Sequence, residues 1–549
     1  MSAILIRKAK RLLAWEKGTM FKDPGVGVRV ALVYPNRYRV GMANLGFQAV
    51  YRLLNEHPAI SCERAFLPDK EDEEELVRTR SSLFSLETQT PLNRFDLLAF
   101  ALPFEMDYPN VVRVLDLAGV PVRNEERRER GPLIIAGGSA ISFNPEPLAE
   151  IVDAFVIGEA EEMIPKLAGI LVEYGEHEGI LRAEEGLVAS LSQLEGVYCP
   201  SLCEFAFGPG ASIAGMMPLQ GGPERVRRAA VSDLDMHFAS SVIATRAGEF
   251  GEMFLAEVSR GCPRRCRFCV TAYCVYPVRN VSPVAFLRRV KETRLPRERV
   301  GLVGTSLSDY PHLRQLGREL LAMGCRPSLS SLRPDTFDQE LAEIVAEAGQ
   351  DTLAFAPETG SKVLQQAIGK PLRPEALANA LELAQGHGIP KVKLYFMVGL
   401  PGEGEEDLRL TAALLAEMRQ GFPRLKTSAT FSVFVPKPFT PFQGVGMPAE
   451  EDLKERIRLL RSLLGKIRGL SFGFESPRQS RLQGMLSLGD RRLGKVMVSA
   501  ARAGGGRRAW QKALEEAGLS QDDYLAPRQE GQLNPWDVLE MLGSTGKRI

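Results

Sequence analysis

Three cysteines within eight residues form the part of this sequence with the clearest chemistry, and they are Cys262, Cys266 and Cys269. Their spacing is C-x3-C-x2-C. Thiolates at this spacing on a short loop can bind three irons of a cubane iron–sulfur cluster, whereas such clusters are normally held by four cysteines. The fourth iron then has no protein ligand. The motif therefore indicates a cluster with one position open for a substrate or a cofactor.

Two other uses of clustered cysteines fit this sequence less well. Structural zinc sites usually take four nitrogen or sulfur ligands from paired knuckles, and no second knuckle is visible here. A disulfide framework is not expected in a chain of 549 residues with 8 cysteines and no secretory signal. The iron–sulfur interpretation is therefore favoured.

The cysteine motif resembles that of the radical S-adenosylmethionine (radical SAM) superfamily. Phe268 precedes the third cysteine, where that superfamily usually has an aromatic residue near the cofactor. The resemblance implies a 4Fe-4S cluster whose open iron binds the amino and carboxylate groups of S-adenosylmethionine. It also implies that an electron from the cluster cleaves this cofactor to a 5′-deoxyadenosyl radical. An external electron donor such as flavodoxin or ferredoxin is the expected partner.

Composition and charge favour a soluble enzyme. The chain is 44% hydrophobic, and its 69 basic and 68 acidic residues give a net charge of +1. This balance does not indicate binding to nucleic acid or to a membrane. The basic N-terminal segment lacks the apolar core of a signal peptide, and no run approaches the ~18 apolar residues of a membrane span. We therefore expect a cytoplasmic protein.

The elements that must position the cysteines can be placed from the pattern of apolar runs, which divides the chain into five regions. These are an amphipathic segment (1–25), an α/β domain (26–185), a connector (186–249), a second α/β domain (250–445) and a mostly helical C-terminal region (446–549). The second α/β domain alternates amphipathic helices with six predicted strands, Leu255–Val258, Val300–Val303, Ser328–Leu332, Leu353–Ala356, Val392–Val398 and Ala429–Val435. Six such units predict a partial TIM-type (β/α)6 barrel, whose site lies at the carboxyl ends of its strands.

Further rim segments of this predicted barrel are candidates for binding S-adenosylmethionine. The cysteine loop follows the first strand. Gly304, Thr305 and Ser306 follow the second strand, where the superfamily usually has a small polar stretch that meets the amino group of the cofactor. The common Gly-Gly-Glu form of that stretch is absent. Glu358 follows the fourth strand and is expected to accept hydrogen bonds from the ribose hydroxyls.

The fifth strand carries the remaining candidates. Period-two alternation sends Lys393 and Tyr395 to one face of this strand and its branched apolar residues to the other. A lysine and a tyrosine that face a barrel lumen are costly unless paired, so both are candidates for contact with cofactor or substrate. Tyr395 is the candidate catalytic residue, whereas a salt bridge within the barrel is the alternative for Lys393. Gly399 would allow the backbone to approach the adenine.

The first α/β block predicts a second kind of domain. Its apolar runs Val28–Tyr34, Asp96–Leu102, Leu133–Ala136 and Ala154–Ile157 read as buried strands, and helical patterns fall between or after them. Continuous apolar strands of this kind predict a doubly wound, Rossmann-like parallel sheet with helices on both faces. Ligands of such sheets bind beyond the carboxyl ends of the strands.

This block resembles the cobalamin-binding domain that often precedes a radical SAM barrel. Where cobalamin domains carry D-x-H-x-x-G, this chain has Asn36, Tyr38 and Gly41, so a tyrosine replaces the histidine. The later S-x-L signature is also missing. The paired Gly137 and Gly138 are retained, and their bare backbone could approach the nucleotide tail of a corrinoid. The resemblance implies cobalamin bound without a histidine ligand, and a Rossmann-like scaffold without cobalamin is the alternative.

The remaining cysteines and the C-terminal region read as structural. Cys199 and Cys203 have no further ligands nearby in sequence and are expected to be buried thiols, and Cys274 is expected to pack near the site. In the tail, apolar residues at 4-3-4-3 spacing predict a helix that packs on the barrel. Trp510 and Trp536 are expected to help cover the open side of the barrel.

These features together predict a radical SAM enzyme, and the resemblance extends over nearly the whole chain to an uncharacterised bacterial family with a cobalamin-binding-type front domain. If cobalamin is bound, C-methylation is the favoured reaction. Cobalamin-independent radical modification of RNA or protein is one alternative. A non-catalytic iron–sulfur or corrinoid carrier is an alternative of a different class. The organic chemistry in each case belongs to the cofactor, and the sequence names no substrate.

Overall fold

The N-terminal part of the chain folds around one six-stranded sheet. The computed structural model describes residues 2–23, 25, 27–127, 131–178, 181 and 184–541. In chain order the strands of this sheet are β1 (Val28–Tyr34), β2 (Ile60–Phe66), β3 (Leu97–Ala101), β4 (Leu133–Gly137), β5 (Ala154–Val156) and β6 (Val197–Tyr198). Their spatial order is β2-β1-β3-β4-β5-β6, all parallel except the edge strand β6. The first five strands thus have the flavodoxin-like 2-1-3-4-5 order, which confirms the predicted doubly wound domain.

Apolar cores cover both faces of this sheet, as the continuous apolar strands require. The principal helices of this part of the chain are Ala3–Ala14, Leu45–Glu56, Lys70–Thr79, Tyr108–Ala118, Met163–Glu178 and Glu185–Ser192. Val30 and Leu32 of β1 face one core, while Ala31 and Val33 face the other. The sequence prediction missed β2, because Glu63 and Arg64 interrupt its apolar pattern although both are buried.

The second part of the chain forms an open, curved arrangement of parallel strands. Its strands are β7 (Phe254–Arg260), β8 (Arg299–Gly304), β9 (Arg326–Leu329), β10 (Thr352–Glu358), β11 (Lys391–Val398), β12 (Lys426–Val433) and β13 (Leu470–Phe474). They belong to two sheets, one ending at β9 and one beginning at β10. A parallel bridge between Leu332 and Phe355 joins the two. The strands do not close into a full barrel, which confirms the predicted partial barrel.

Amphipathic helices cover the convex side of this partial barrel. They are Pro283–Glu292, Leu313–Ala322, Gln339–Glu347, Lys362–Ala367, Pro374–Gly386, Glu405–Gly421 and Glu450–Leu464. The predicted apolar seam of the last helix, including Ile457, Leu460 and Leu464, packs in the barrel core. The strand β13 adds a seventh parallel strand beyond the six predicted, and it pairs with β12.

The C-terminal helices pack mainly on the N-terminal sheet. They are Pro477–Leu488, Leu493–Arg502, Arg507–Glu516 and Gln521–Leu525. Val496, Met497 and Trp510 lie in the same core as Val111 of helix Tyr108–Ala118. The expectation that Trp510 covers the barrel was therefore wrong. Trp536 does contact the barrel side, because its Nε1 donates a hydrogen bond of 3.1 Å to Gln443.

Short strand pairs connect the larger units. Glu16–Lys17 pairs with Ala244–Thr245, and Cys203–Phe207 forms a hairpin with Ile213–Pro218. Val226–Arg227 lies parallel to Leu539–Glu540 near the C-terminus. Among the described residues, no helix has the length and apolar character that crossing a membrane requires.

Candidate active site

The cysteine loop begins directly after β7, at the carboxyl end of the partial barrel. Gly261 starts the loop with a φ of +89°, and a Cβ there would lie 2.4 Å from the carbonyl oxygen of Val275. Only glycine fits this close approach. Directly after β8, the Thr305 hydroxyl donates a hydrogen bond of 2.5 Å to the Gly261 carbonyl. Close packing against Val275 and the hydrogen bond from Thr305 thus hold the start of the loop in place.

The three motif cysteines are free thiols that lie near one another. Cys266 is buried, and Cys262 and Cys269 are half-buried. The amide of Cys269 donates to the carbonyl of Cys266 at 3.1 Å, which closes a turn between these two residues. Charge on Cys269 acts on the pKa of both other thiols. Three soft thiol donors on one loop are the ligand set that an iron–sulfur cluster needs, so these residues fit that group.

Polar groups from the cysteine loop and from the segment after β8 act on Cys262. Burial raises the pKa of this thiol, and the Arg264 backbone amide and the nearby Ser306 hydroxyl oppose that rise. The Ser306 hydroxyl also donates to Asp309, which accepts two further bonds from the Arg264 guanidinium at 2.7 and 3.0 Å. The side chains of Thr305 and Ser306 therefore hold the cysteine loop in place in this structure.

Two cationic side chains approach Cys266, one from the segment after β9 and one from the segment after the helix Lys362–Ala367. Burial raises the pKa of this thiol, while the positive charges of Lys370 and Arg333 lower it. Lys370 Nζ lies 2.6 Å from the Glu358 carboxylate. Thiolates are favoured beside lysine and arginine, so these cations suit a negatively charged ligand set.

Glu358 is the last residue of β10, with a φ of +68° that few residues other than glycine adopt. Burial raises the pKa of this carboxyl, and Lys370 opposes the rise most strongly. Glu358 was predicted to accept hydrogen bonds from the ribose hydroxyls of the cofactor. In this structure its carboxylate forms a salt bridge with Lys370 instead.

A cluster of buried charges joins the N-terminal sheet to the cysteine loop. Glu159 follows β5, and its carboxylate accepts hydrogen bonds from Arg228, Arg260 and Arg279 at 2.7 to 3.0 Å. The backbone amide of Val231 adds a bond of 2.9 Å. Burial alone would raise the pKa of Glu159, but these partners, Arg279 foremost, lower it to about 2. The carboxylate therefore stays ionised in this buried position.

Arg260 is the centre of this charge cluster on the barrel side. Besides Glu159, it contacts Glu161 at 2.8 Å and Glu257 at 2.6 Å. Arg260 ends β7 and precedes Gly261, so its position determines where the cysteine loop starts. We call the six side chains that form this network the charge cluster: Glu159, Glu161, Arg228, Glu257, Arg260 and Arg279.

Two further rim residues bear on cofactor binding. Phe268 is half-buried and packs against an apolar cluster that includes Ile368, Leu400 and Phe434. Ser259 faces the Cα of Gly304, where an added Cβ would lie 2.8 Å from the serine hydroxyl. That hydroxyl is buried and has no hydrogen-bond partner among the described residues. The rim therefore offers an unused polar group beside the predicted cofactor position, in agreement with a bound polar ligand.

Strand β11 shows the predicted alternation. Leu394 and Phe396 are fully buried in the core beneath the helices, while Lys393 and Tyr395 are exposed on the other face. Among the described residues, no carboxylate lies within 4.0 Å of Lys393 Nζ, so the predicted alternative of a salt bridge is not observed there. Gly399 has a φ of +84°, and an added Cβ would meet Leu453 at 2.8 Å. The turn and the local packing therefore both require a glycine at position 399.

The candidate cobalamin residues have partners within the protein. The Tyr38 hydroxyl donates to Glu16 at 2.6 Å and contacts Thr245 at 3.1 Å. Burial raises the pKa of this phenol, and the charge of Glu16 raises it further. Glu16 also pairs with the buried Arg64 at 2.6 Å. The residue at the histidine position is therefore part of a buried network and offers no metal ligand.

The glycines of the cobalamin-type loops differ in their surroundings. An added Cβ at Gly41 would meet the Phe66 ring at 2.7 Å, and one at Gly138 would meet the Leu102 backbone at 2.6 Å. Gly138 also has a φ of +123°. At Gly137 an added Cβ would make only ordinary contacts with Val156, at 3.5 Å. Tight packing thus accounts for Gly41 and Gly138, and Gly137 has no such requirement.

Loops after β1 and β3 meet at the point where the strand order reverses. Asn36 donates a hydrogen bond of 2.8 Å to Asp107 across this point. Burial raises the pKa of Asp107 to about 6, although hydrogen bonds from Asn36 and Asn110 oppose the rise. Glu105, two residues earlier, forms a salt bridge with Lys437 of the barrel side. The crevice of the N-terminal sheet therefore faces the barrel.

Cys199, Cys203 and Cys274 are buried free thiols, as expected from the sequence. Cys199 and Cys203 are buried in the two different cores on opposite faces of the N-terminal sheet. Burial raises the pKa of Cys199 to about 12 and that of Cys203 to about 11. Cys274 is fully buried beside the cysteine loop. Within the described part of the chain, no group of three or more His, Cys, Asp or Glu side chains is arranged around a single metal ion.

Comparison with known proteins identifies both halves of this architecture. Residues 46–200 match the family model described as radical SAM proteins, N-terminal, and residues 256–415 match that of the radical SAM superfamily. An uncharacterised protein of Methanocaldococcus jannaschii is 28% identical, over 85% of this chain and 90% of that protein. The cytidylyl-2-hydroxyethylphosphonate methyltransferase of Streptomyces wedmorensis is 29% identical over 28% of this chain and 30% of its own length.

A solved structure shares the fold of nearly the whole chain. It is the radical S-adenosylmethionine methyltransferase TsrM from Kitasatospora setae, with cobalamin and a 4Fe-4S cluster bound. The match has a TM-score of 0.52 and 14% sequence identity, and it covers 89% of this chain and 100% of that chain. The two proteins therefore have the same arrangement of a front α/β domain and a partial barrel.

Proposed function

The chain belongs to the radical SAM superfamily, and on this basis we propose that it cleaves S-adenosylmethionine reductively with a 4Fe-4S cluster on Cys262, Cys266 and Cys269. The observation that carries the proposal is the set of three adjacent free thiols on the first rim loop of a partial barrel. When bound, the cluster and S-adenosylmethionine supply a 5′-deoxyadenosyl radical that abstracts hydrogen from an unreactive C–H bond. Radical SAM enzymes generally need an electron donor, and flavodoxin or ferredoxin would fill that role.

Residues of this chain would prepare the site in three ways. The Arg264 amide hydrogen-bonds to Cys262 and so favours its thiolate, and the Ser306 hydroxyl adds a polar group beside the same thiol. Lys370 and Arg333 place positive charge near Cys266, which offsets the negative charge of the ligand set. The apolar packing around Phe268 keeps water from that side of the loop.

For the outcome of the reaction, we propose C-methylation with cobalamin held by the N-terminal sheet. When bound, cobalamin supplies the methyl group. The reversal of strand order between β1 and β3 is the position where flavodoxin-like sheets bind ligands, and the loops there face the barrel through Glu105 and Lys437. The fold shared with the cobalamin-bound methyltransferase TsrM supports this choice.

A second candidate is radical modification of RNA or protein without cobalamin. The specific observation in its favour is that the candidate cobalamin residues already have structural partners. Tyr38 is bonded to Glu16, and the Cα of Gly138 packs against the Leu102 backbone. In this case the N-terminal sheet would serve as a scaffold or as a surface that recognises the substrate.

One experiment tests the cleavage reaction, and a second separates the two outcomes. Anaerobically reconstituted protein should show the absorption and spin-resonance signals of a 4Fe-4S cluster and convert S-adenosylmethionine to 5′-deoxyadenosine under strong reductant. The matched control is Cys262→Ala, prepared in parallel. A cluster without any nucleoside product would instead favour a non-catalytic carrier.

Cobalamin use is decided by retention of the corrinoid. After incubation with cobalamin, the wild-type protein should carry a corrinoid absorption band through gel filtration. Loss of that band, with 5′-deoxyadenosine formation retained, would exclude methyl transfer through cobalt and leave the cobalamin-independent reaction.

A further inference from the structure

The concave face of the partial barrel is polar on its last three strands. Lys393, Tyr395, Thr430 and Ser471 are exposed there and Ser428 is half-buried. Their neighbours along each strand, such as Leu394 and Ala429, are buried beneath the outer helices. Closed TIM barrels fill their interior with bulky branched side chains. This face instead exposes hydroxyl groups and the Lys393 ammonium group.

Strand register places hydroxyl groups beside Lys393. On one side, Lys393 lies opposite Ser428 of β12, which in turn lies opposite Ser471 of β13. On the other side its partner is Ala354 of β10, which leaves space. Neighbouring strands are about 4.8 Å apart, so these side chains are within reach of one small ligand group.

Positive charge at this end of the lumen is only partly balanced by nearby carboxylates. In the preceding row, Lys391 lies directly opposite Lys426, a pairing of like charges that destabilises a sheet. Lys391 is paired with Asp351 at 2.6 Å. Among the residues that the structure describes, no carboxylate lies within 4.0 Å of the Nζ of Lys393 or Lys426. A bound anion would offset this charge.

We propose that Lys393, with Ser428 and Ser471 beside it, binds a carboxylate or phosphate group of a small-molecule substrate. A lysine ammonium binds such oxyanions as a point charge, and hydroxyls can donate to the remaining oxygens. This assignment rests on the proposed radical function and adds the substrate class. Tyr395 and Thr430 occupy the next row towards the rim and would contact the middle of the same molecule.

The depth of Lys393 separates this site from the S-adenosylmethionine site. Val398, the last residue of β11, lies five positions after Lys393, which corresponds to about 16 Å at the rise of a strand. A cofactor attached to the cysteine loop lies at the rim, whereas Lys393 lies near the opposite end of the strand. Lys393 is therefore better placed to bind the end of the substrate that lies far from the rim than to bind S-adenosylmethionine, the contact predicted for it from the sequence.

Binding of two simple anions to the reconstituted full-length protein tests the proposal. Isothermal titration calorimetry is performed with inorganic phosphate in one experiment and with acetate in the other. The anion that binds more tightly shows whether the site prefers a phosphate or a carboxylate group. We expect Lys393→Met to weaken binding of the preferred anion by about tenfold or more, as loss of one charged hydrogen-bonding partner predicts. Lys393→Arg should restore most of the affinity, because it retains the charge.

Lys512→Met is the matched control, because Lys512 is an exposed lysine on an outer helix, paired with Glu516. This variant should bind the anion like the wild type. Absence of anion binding by the wild-type protein, or equal weakening in Lys393→Met and Lys512→Met, would overturn the proposal. Binding of a single-stranded RNA oligonucleotide, with no binding of either anion, would also overturn the proposal. Formation of 5′-deoxyadenosine by the same wild-type preparation reports separately on the proposed function.

Discussion

Arg260 donates a hydrogen bond of 2.9 Å to Glu159, and this contact links the N-terminal sheet to the strand that carries the cysteine loop. Glu159 lies three residues after the end of β5, and Arg260 lies two residues before Cys262. Both side chains are largely buried. The edge of the N-terminal α/β domain therefore sets the position of the cysteine loop in the partial barrel.

Glu159→Gln should weaken this link and destabilise the fold. The substitution leaves three arginines facing one fewer negative charge, and breaking a buried ionic network costs about 3 kcal/mol of unfolding free energy. We also expect the variant to hold less iron per folded chain after reconstitution, because Arg260 loses a partner next to the loop. Denaturant unfolding and iron analysis of the folded fraction measure the two effects.

Glu87→Gln is the control for this experiment. Glu87 is equally buried and pairs with Arg64 at 2.7 Å, in a network of the N-terminal sheet that does not include the cysteine loop. It should also lower the free energy of unfolding, because the buried Arg64 loses one of its two ionic partners, and it should leave the iron content of folded protein unchanged. Equal iron loss in both variants would show that the charge cluster acts only through general stability.

The charge cluster also predicts how stability depends on acid. The pKa of Glu159 is about 2 in the folded protein, against its usual value of 4.5. Because the folded value is lowered, the carboxylate stabilises the fold fully above pH 4.5, and this stabilisation is lost as the pH falls towards 2. The shift corresponds to about 3 kcal/mol. Urea unfolding of the wild type and Glu159→Gln at several pH values should show their difference shrinking in this interval.

The fold was predictable wherever apolar patterns are continuous. The run Val28–Tyr34 was predicted with the bounds that the structure has. Strand Ile60–Phe66 was missed because Glu63 and Arg64 are charged, and only their tertiary partners Ser85 and Glu87 make burial of these charges tolerable. Local patterns do not contain those partners.

The C-terminal region shows a second limit of sequence patterns. The helix Glu450–Leu464 was predicted from its apolar spacing, and Ile457, Leu460 and Leu464 of the predicted seam pack in the barrel core. The spacing of apolar residues in Leu493–Arg502 also indicates a buried face, but it does not indicate which domain that face contacts. Strand Leu470–Phe474 was missed because it is short and only half-buried.

For the candidate site, too, the sequence predicted some residues and missed others. Its cysteines were found because they are close in sequence, and the rim positions of Gly304 and Glu358 followed from the order of the strands. The charge cluster was not predicted, since Glu159, Arg228 and Arg279 come from separate segments that meet only in the fold. Lys370 and Arg333 were missed for the same reason, although Arg333 follows the third barrel strand, where a rim contact is expected.

The ligand assignment predicts different effects for two buried cysteines. Cys266→Ala removes one of three thiols on the rim loop and should abolish cluster assembly. Cys199→Ala removes a thiol that packs against the Val188 carbonyl at 3.8 Å, far from that loop in the N-terminal core. It should cost about 1 kcal/mol of stability through lost packing and leave the iron content unchanged. Iron and sulfide analysis after anaerobic reconstitution distinguishes the two, and equal iron loss would contradict the assignment.

Asp107→Asn should stabilise the protein at neutral pH. Burial raises the pKa of this carboxyl to about 6 from its usual 3.8, so its ionisation opposes folding. The stability that the protonated form provides is present below pH 3.8 and is lost as the pH rises through 6. The asparagine side chain keeps an oxygen that can accept the bond from Asn36. We expect a gain of about 2 kcal/mol in the free energy of unfolding at pH 8 and almost none at pH 3.5.

Urea unfolding of the wild type and Asp107→Asn at both pH values tests this expectation. Asp116→Asn is the control, because Asp116 lies on the following helix, partly exposed and paired with Arg502 at 2.8 Å. That substitution removes a surface salt bridge and should lower stability by no more than about 1 kcal/mol. A gain for Asp107→Asn that is the same at pH 3.5 and pH 8 would mean that ionisation of Asp107 is not its cause. A gain confined to pH 8 would establish that the crevice between β1 and β3 holds a carboxylate whose charge is unfavourable there.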